Sequence, residues 1–335
     1  MQELVKEVER RRTFAIISHP DAGKTTLTEK LLLFGGALRE AGAVRAQRAN
    51  RHATSDWLEL EKQRGISVSS SVMHFEHQGF RVNILDTPGH KDFSEDTYRT
   101  LMAADAAVML IDGAKGVEAQ TGKLFQVCAM RKIPIFTFVN KMDRESRDPL
   151  ELMEEIEEVL GIEAVPVNWP VGMGSGFRGV YDRLERKLEL FSGGKHGTQL
   201  VDQVDVEGEP DSPAIQEAIG GAMAEQVAEE LELLDGAGAE FDEAAVRAGK
   251  QTPMFFGSAM TNFGVMPFLD AFLKMAPHPT ARHADKGPID PVEGAFSGFI
   301  FKIQANMDPN HRDRLAFMRV CSGKFLRGSN VQLER

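Results

Sequence analysis

Apolar and polar positions along residues 11–145 switch repeatedly between a two-residue and a 3.6-residue period. Thr13-Phe14-Ala15-Ile16-Ile17 is a short apolar run of the kind that forms a buried strand. Residues 25–34 put Leu27, Leu31 and Leu32 on one helical face, and Gly35-Gly36 ends the pattern. Apolar residues 68–75 and 80–85 flank Gln78-Gly79, which predicts a hairpin. Residues 106–111 and 133–139 are further strand-like runs, with a helical stretch at 120–131 between them. Such alternation predicts an α/β fold with a mostly parallel, doubly wound sheet. Asp148-Pro149 reads as a cap and first turn, and the helix that follows turns Leu152, Ile156, Val159 and Leu160 inward before Gly161 stops it.

The pattern then changes. Residues 172–194 are Gly-rich with short strand-like pieces such as Gly179-Val180-Tyr181, and a helical signal covers 214–234. The α/β text resumes at Pro253-Met254-Phe255-Phe256-Gly257. A helix follows with Val265, Phe268, Leu269, Phe272 and Leu273 on one face, stopped by Pro277. The expected organisation is a domain over 1–276 carrying an inserted subdomain at about 161–250, then a proline-punctuated linker at 277–291. Strand-like segments at 295–304 and 314–321, around the turn Asp308-Pro309-Asn310, predict the start of an antiparallel β-barrel at 292–335. That stretch is short for a barrel, so a continuation beyond residue 335 is expected.

Composition sharpens this picture in two places. Of a net charge of −11, residues 201–250 alone contribute −12, with 14 acidic and 2 basic residues, so the rest of the chain is close to neutral. Global acidity is therefore a property of one segment and says nothing against a nucleic-acid partner elsewhere, although an overall basic footprint is also missing. The two cysteines, Cys128 and Cys321, fit neither a disulfide framework nor a metal cage, which predicts a reducing, cytoplasmic setting. No apolar run reaches the length of a membrane span, and the charged first residues do not read as a signal peptide, so no membrane partner is expected.

Four short motifs carry chemistry. The first strand runs into Ser18-His19-Pro20-Asp21-Ala22-Gly23-Lys24-Thr25-Thr26 and then a helix. This is a phosphate-loop pattern with Ser18 in place of its first glycine. Its backbone N–H groups and helix dipole suit phosphates, with Lys24 reaching the terminal phosphates and the Thr25 hydroxyl binding Mg²⁺. A strand end delivers Asp86-Thr87-Pro88-Gly89-His90, where an Asp can hold Mg²⁺ through water, a Gly N–H can contact a γ-phosphate and the next residue can orient water. Asn140-Lys141-Met142-Asp143 follows another strand. The Asp143 carboxylate can accept from both N1–H and the exocyclic amine of guanine, a pair that adenine does not offer. Lys141 would lay its stem on the base, and Asn140 would tie this loop to the phosphate loop. Ser258-Ala259, after the last strand, adds a backbone N–H toward the guanine oxygen.

The order of these elements, together with Arg64-Gly65-Ile66-Ser67, resembles the translational GTPase family. Within that family Ser55-Asp56-Trp57-Leu58-Glu59, Asn168-Trp169-Pro170 and Phe301-Lys302-Ile303-Gln304 resemble the factors that act at termination. The resemblance spans essentially the whole chain and implies GTP and GDP as ligands, Mg²⁺ as cofactor and GTP hydrolysis as activity. It implies the ribosome, through its RNA and proteins, as activator and partner, and class I release factors as the proteins whose dissociation is promoted. A monomer is expected. Position by position, Ser67 matches the switch residue whose hydroxyl binds Mg²⁺, and His90 the histidine that positions the hydrolytic water. Pro20 and Ile66 match the apolar gate around that histidine, and Asp21 a phosphate-loop carboxylate linked to a monovalent cation. Arg64 has the spacing of a cis-acting catalytic arginine, or else is a switch residue facing solvent or ribosome. Without such an arginine, intrinsic turnover near ~10⁻⁴ s⁻¹ is expected. An activator giving ~10⁵-fold then supplies about 7 kcal/mol. The basic run Arg39, Arg45, Arg48, Arg51 and His52 is either a contact to RNA phosphates or a solvated loop. Two other readings stay open: a translocation factor of the elongation-factor-G kind, and a non-hydrolysing sensor of GDP or an alarmone.

Overall fold

The computed structural model describes residues 2–36, 71–87, 94–191, 203–285, 287–305 and 314–333. Helix α1 (Gln2–Glu9) precedes β1 (Arg11–Ser18) and α2 (Lys24–Phe34). The hairpin β2 (Ser71–His77) and β3 (Phe80–Asp86) follows, then α3 (Ser94–Leu101), β4 (Ala106–Asp112), α4 (Ala119–Met130), β5 (Ile135–Asn140) and α5 (Pro149–Leu160). Beyond β6 (Glu163–Pro166) come β7 (Asn168–Val171), β8 (Gly179–Asp182), β9 (Lys187–Phe191) and β10 (Gln203–Glu207). Helices α6 (Pro213–Ile219), α7 (Gly221–Ala237) and α8 (Glu243–Arg247) lead to β11 (Gln251–Phe256) and α9 (Val265–Met275). The hairpins β12 (Arg282–Ala284) with β13 (Gly287–Ile289), and β14 (Ser297–Ala305) with β15 (Arg314–Ser322), close the described chain.

Seven strands form one sheet in the order β2-β3-β1-β4-β5-β11-β6. Only β2 runs antiparallel; the remaining pairs are parallel. Its hairpin turns on Gln78 (φ 47°) and Gly79 (φ 83°), the two positive angles that a two-residue type I′ loop requires. The pleat explains why two helical layers form. Phe14 and Ile16 of β1 face one way and pack with Leu27 and Leu31 of α2 and Phe268, Leu269 and Phe272 of α9. Ala15 and Ile17 face the other way and pack with Leu124 and Cys128 of α4 and Leu152 and Ile156 of α5. Phe272 meets Phe14 and Phe136 edge-on, with ring centres 4.6 and 4.8 Å apart. Each such side chain stabilises the fold by about 1.5–3 kcal/mol when fully buried.

Helix α5 starts as its sequence dictates: Asp148 accepts from the amides of Leu150 and Glu151, and Gly161 ends it at φ 67°. Val159, expected inward, is 58% exposed, because the core covers this helix through Leu152 and Ile156 and reaches only Leu160 in its last turn. The strand β6 also departs from the sequence reading. Residues 163–166 grouped with the insert in the pattern, yet β6 pairs with β11 at the edge of the main sheet. The rest of the insert is a separate antiparallel sheet, β10-β9-β8-β7, with α6 and α7 joined through Gly220 at φ 91°. The linker region holds the small β12–β13 hairpin, whereas the turn at 308–310 lies outside the described residues. From β15, Arg319 reaches back and donates to both carboxylate oxygens of Asp105 at 2.7 and 2.8 Å, and Arg282 of β12 adds a third bond at 3.0 Å.

Candidate functional site

The carboxyl ends of β1, β3, β5 and β11 bring the four motif loops to one edge of the sheet, the position at which open α/β sheets bind ligands. After Ser18 the chain turns through Asp21 at φ 68° and enters α2 at Gly23, whose φ of 103° is the left-handed region that favours glycine. A Cβ at Gly23 would stand 2.3 Å from Asn140 Nδ2, so the close approach of two loops also demands glycine. Gly23 stands at the N-cap of α2, so the helix start has no side-chain cap among the described residues. The Ser18 hydroxyl is buried and has no hydrogen-bond partner among the described residues. An uncapped helix start beside an orphaned buried hydroxyl suits a phosphate group.

His19 is held from outside the loop. Its N–H donates to Thr121 Oγ1 at 3.1 Å, and its ring Nε2 lies 3.3 Å from Glu118 Oε1. Lys24, buried, donates its ammonium to the carbonyl of Thr87, and the Thr87 hydroxyl donates to Ile16 O at 2.6 Å. The phosphate-loop lysine and the segment that begins at Asp86 therefore meet. Thr25 and Thr26 stand half-buried in the first turn of α2. A Thr hydroxyl and a carboxylate are the oxygen donors that Mg²⁺ takes alongside substrate phosphates. The backbone of Asp86 ends β3, but its side chain, and Arg64, Ser67, Pro88, Gly89 and His90, lie outside the described residues. So do Ile66 and the basic run at 39–52.

The second half of the site is stitched to the first. Asn140 Nδ2 donates to Ala22 O at 2.8 Å, and Asn140 Oδ1 accepts from the amide of Ala259 at 2.9 Å. That amide, expected to face a guanine oxygen, is here given to Asn140. Lys141, at φ 72°, spans the same gap: its ammonium donates to Asp21 O at 2.5 Å and pairs with Asp112 at 2.6 Å. Asp143 Oδ1 accepts from the Ser258 hydroxyl at 2.6 Å. The two loops share backbone bonds as well, from Met142 N–H to Gly257 O at 3.2 Å and from Gly257 N–H to Val139 O at 3.0 Å. Asp21, Ala22, Asn140, Lys141, Asp143, Ser258 and Ala259 thus form one connected group. Asp112 joins it through Lys141, and Glu118 and Thr121 hold the neighbouring His19, none of the three having been singled out in the sequence. Asp112 ends β4 ahead of a Gly, and that strand-end position was the one available signal.

Residues 9–278 match the family described as elongation factor Tu GTP binding domain, and residues 295–335 match elongation factor G domain 2. The chain is 63% identical to a protein named peptide chain release factor 3 from Symbiobacterium thermophilum, over 99% of this chain and 62% of that one. It is 60% identical to the protein of the same name from Ligilactobacillus salivarius, over 100% of this chain and 63% of that one. The chain thus spans about three-fifths of the length of these curated relatives. A crystal structure of a protein from Thermus thermophilus superimposes with a TM-score of 0.73 at 27% identity, over 95% of this chain and 46% of that one.

Proposed function

The chain belongs to the elongation factor Tu GTP-binding-domain family, and from that premise we propose that it is the nucleotide-switch portion of a GTP-hydrolysing termination factor. It acts on the cytoplasmic ribosome, as a monomer, and promotes the dissociation of class I release factors. The observation that carries the switch reading is the bridge through Asn140, which joins the phosphate loop to the loop bearing Asp143. The 58–63% identity to proteins named peptide chain release factor 3 supports termination as its task over a translocation factor or a sensor.

In this reading GTP lies between the two halves. The first-turn amides of α2, with Ser18 to Thr26, hold the phosphates, and Lys24 moves its ammonium from Thr87 to the terminal ones. Asp143, steadied by Ser258, takes the two guanine N–H groups. Lys141 covers the base, Met142 anchors the loop in the core, and Ala259 locks Asn140. Mg²⁺, held by Thr25, Ser67 and Asp86, would offset phosphate charge. Asp86 and Gly89 report the γ-phosphate, with Thr87 and Pro88 in the same nucleotide-binding segment, and the contact of Lys24 with Thr87 links that segment to the phosphate loop. His90 positions the hydrolytic water, and Arg64 is the candidate cis arginine. Positioning and electrostatics dominate such a reaction, because phosphoryl transfer passes through a loose transition state.

The test is GTP hydrolysis by the full-length protein with and without ribosomes, alongside release-factor dissociation. Ribosome-dependent turnover, lost in His90→Ala with GDP affinity intact, is the expected result. Tight GDP binding with no stimulated turnover would favour the sensor instead.

A further inference from the structure

The insert, through its sheet and the β7–β8 connection, touches both loops that face the base, at three separate places. Asn168, buried at the start of β7, accepts from Phe256 N–H at 2.7 Å and donates to Phe256 O at 3.2 Å. Its side-chain amide pairs with the last residue of β11 as a neighbouring strand would, two residues before Ser258. Gly174 donates its N–H to Met142 O at 2.9 Å, within the turn that carries Asp143. Phe191, at the end of β9, stacks on Phe263 with ring centres 5.1 Å apart and planes at 28°, and Phe177 lies on the same ring at 5.9 Å. The Phe263 carbonyl in turn accepts the amide of Ser258 at 2.9 Å.

Loops are the mobile parts of a fold, and a carboxylate reads a base only when held within about 0.5 Å of its productive position. The main sheet anchors one end of each loop, while the insert supplies contacts at the end of β11 and beyond the strand ends. We propose that the insert is a built-in brace for the guanine-reading loops, with Asn168 and Phe191 as positioning residues that set how long guanine nucleotide stays bound. This rests on the guanine-nucleotide reading of the site and adds to it the element that governs its selectivity and release.

The experiment follows the release of fluorescently labelled GDP and IDP from the 335-residue chain by stopped flow. IDP lacks the exocyclic amine, so it measures the part of binding that does not depend on the full carboxylate contact. Phe191→Leu is expected to release GDP about threefold to tenfold faster, the range of a lost aromatic contact. IDP release changes less, so the GDP advantage shrinks, and Phe191→Tyr restores it. Asn168→Ala, which removes a different contact, is expected to act in the same direction and decides the matter if Phe191→Leu fails to fold. Fluorescence of Trp169, packed on Phe256 at 5.3 Å, reports that the insert is folded in each variant. Equal acceleration of GDP and IDP, or unchanged release of both, overturns the brace while leaving the guanine site standing. A wild-type chain that binds no guanine nucleotide overturns the site itself, and the brace with it.

Discussion

Asn140 donates its side-chain amide to the carbonyl of Ala22 at 2.8 Å, across 118 residues of chain, and its other end holds the amide of Ala259. One buried side chain thus fixes the distance between the loop at Ala22 and the loops at Asp143 and Ala259. In Asn140→Ala two buried backbone groups lose their partners, at a cost of about 1–3 kcal/mol each. A lower denaturation midpoint is expected, with GDP release at least about tenfold faster, equivalent to 1.4 kcal/mol. Urea titration and labelled-GDP chase measure both; a variant with unchanged release would show that the bridge does not set site geometry.

A second relationship ties the β14–β15 hairpin to the GTP-binding domain. Asp105 follows α3, itself downstream of Asp86-Thr87-Pro88-Gly89-His90, and is held by Arg319 and Arg282. Arg319 is only 8% exposed, so Asp105→Ala leaves a buried guanidinium without its carboxylate, bonded to the Ala103 carbonyl at 2.8 Å. Breaking a buried pair on one side costs about 3–5 kcal/mol. The variant should melt lower and be cut sooner by protease between residues 277 and 291. Wild-type melting and cleavage together would contradict the clamp.

Glu189 in the insert gives a pH signature. Burial pushes its carboxyl up to about 7 from 4.5, with Lys187 opposing and Asp182 and Asp205 adding to the shift. A raised folded value means the folded chain holds the proton more tightly than the unfolded one. This contribution is therefore full below pH 4.5 and is lost as pH rises through about 7. Glu189→Gln should flatten the decline of melting temperature between those limits, leaving the variant the more stable of the two above pH 7. Identical pH profiles would place the proton elsewhere.

Much of the fold is readable locally. The strand, glycine turn and helix from Thr13 to Phe34, the Gln78-Gly79 hairpin, the Asp148-Pro149 helix start and the face of α9 are each written within short stretches of chain, by period, cap or turn chemistry. What the local pattern could not show depends on partners far away in sequence. Strand β6 is four residues long, too short to show a period, and becomes part of the main sheet only because β11 accepts it. The bond from Lys24 to Thr87, and that from Gly174 to Met142, leave no local trace in either segment. Asn168 stands in the string Asn168-Trp169-Pro170, yet its hold on Phe256 is a tertiary fact. In the candidate site the residue types were legible because phosphate and guanine chemistry restrict them, whereas the cross-links among them were not, Asn140 to the phosphate loop excepted.

The most direct measurement is titration of wild-type chain and Asp143→Asn with GDP and with XDP. Xanthine carries a carbonyl oxygen where guanine carries the exocyclic amine, so an asparagine amide suits the first and a carboxylate the second. The account predicts that wild type binds GDP far more tightly than XDP, and that Asp143→Asn loses GDP affinity and gains XDP. Equal GDP affinity in the two proteins would contradict it.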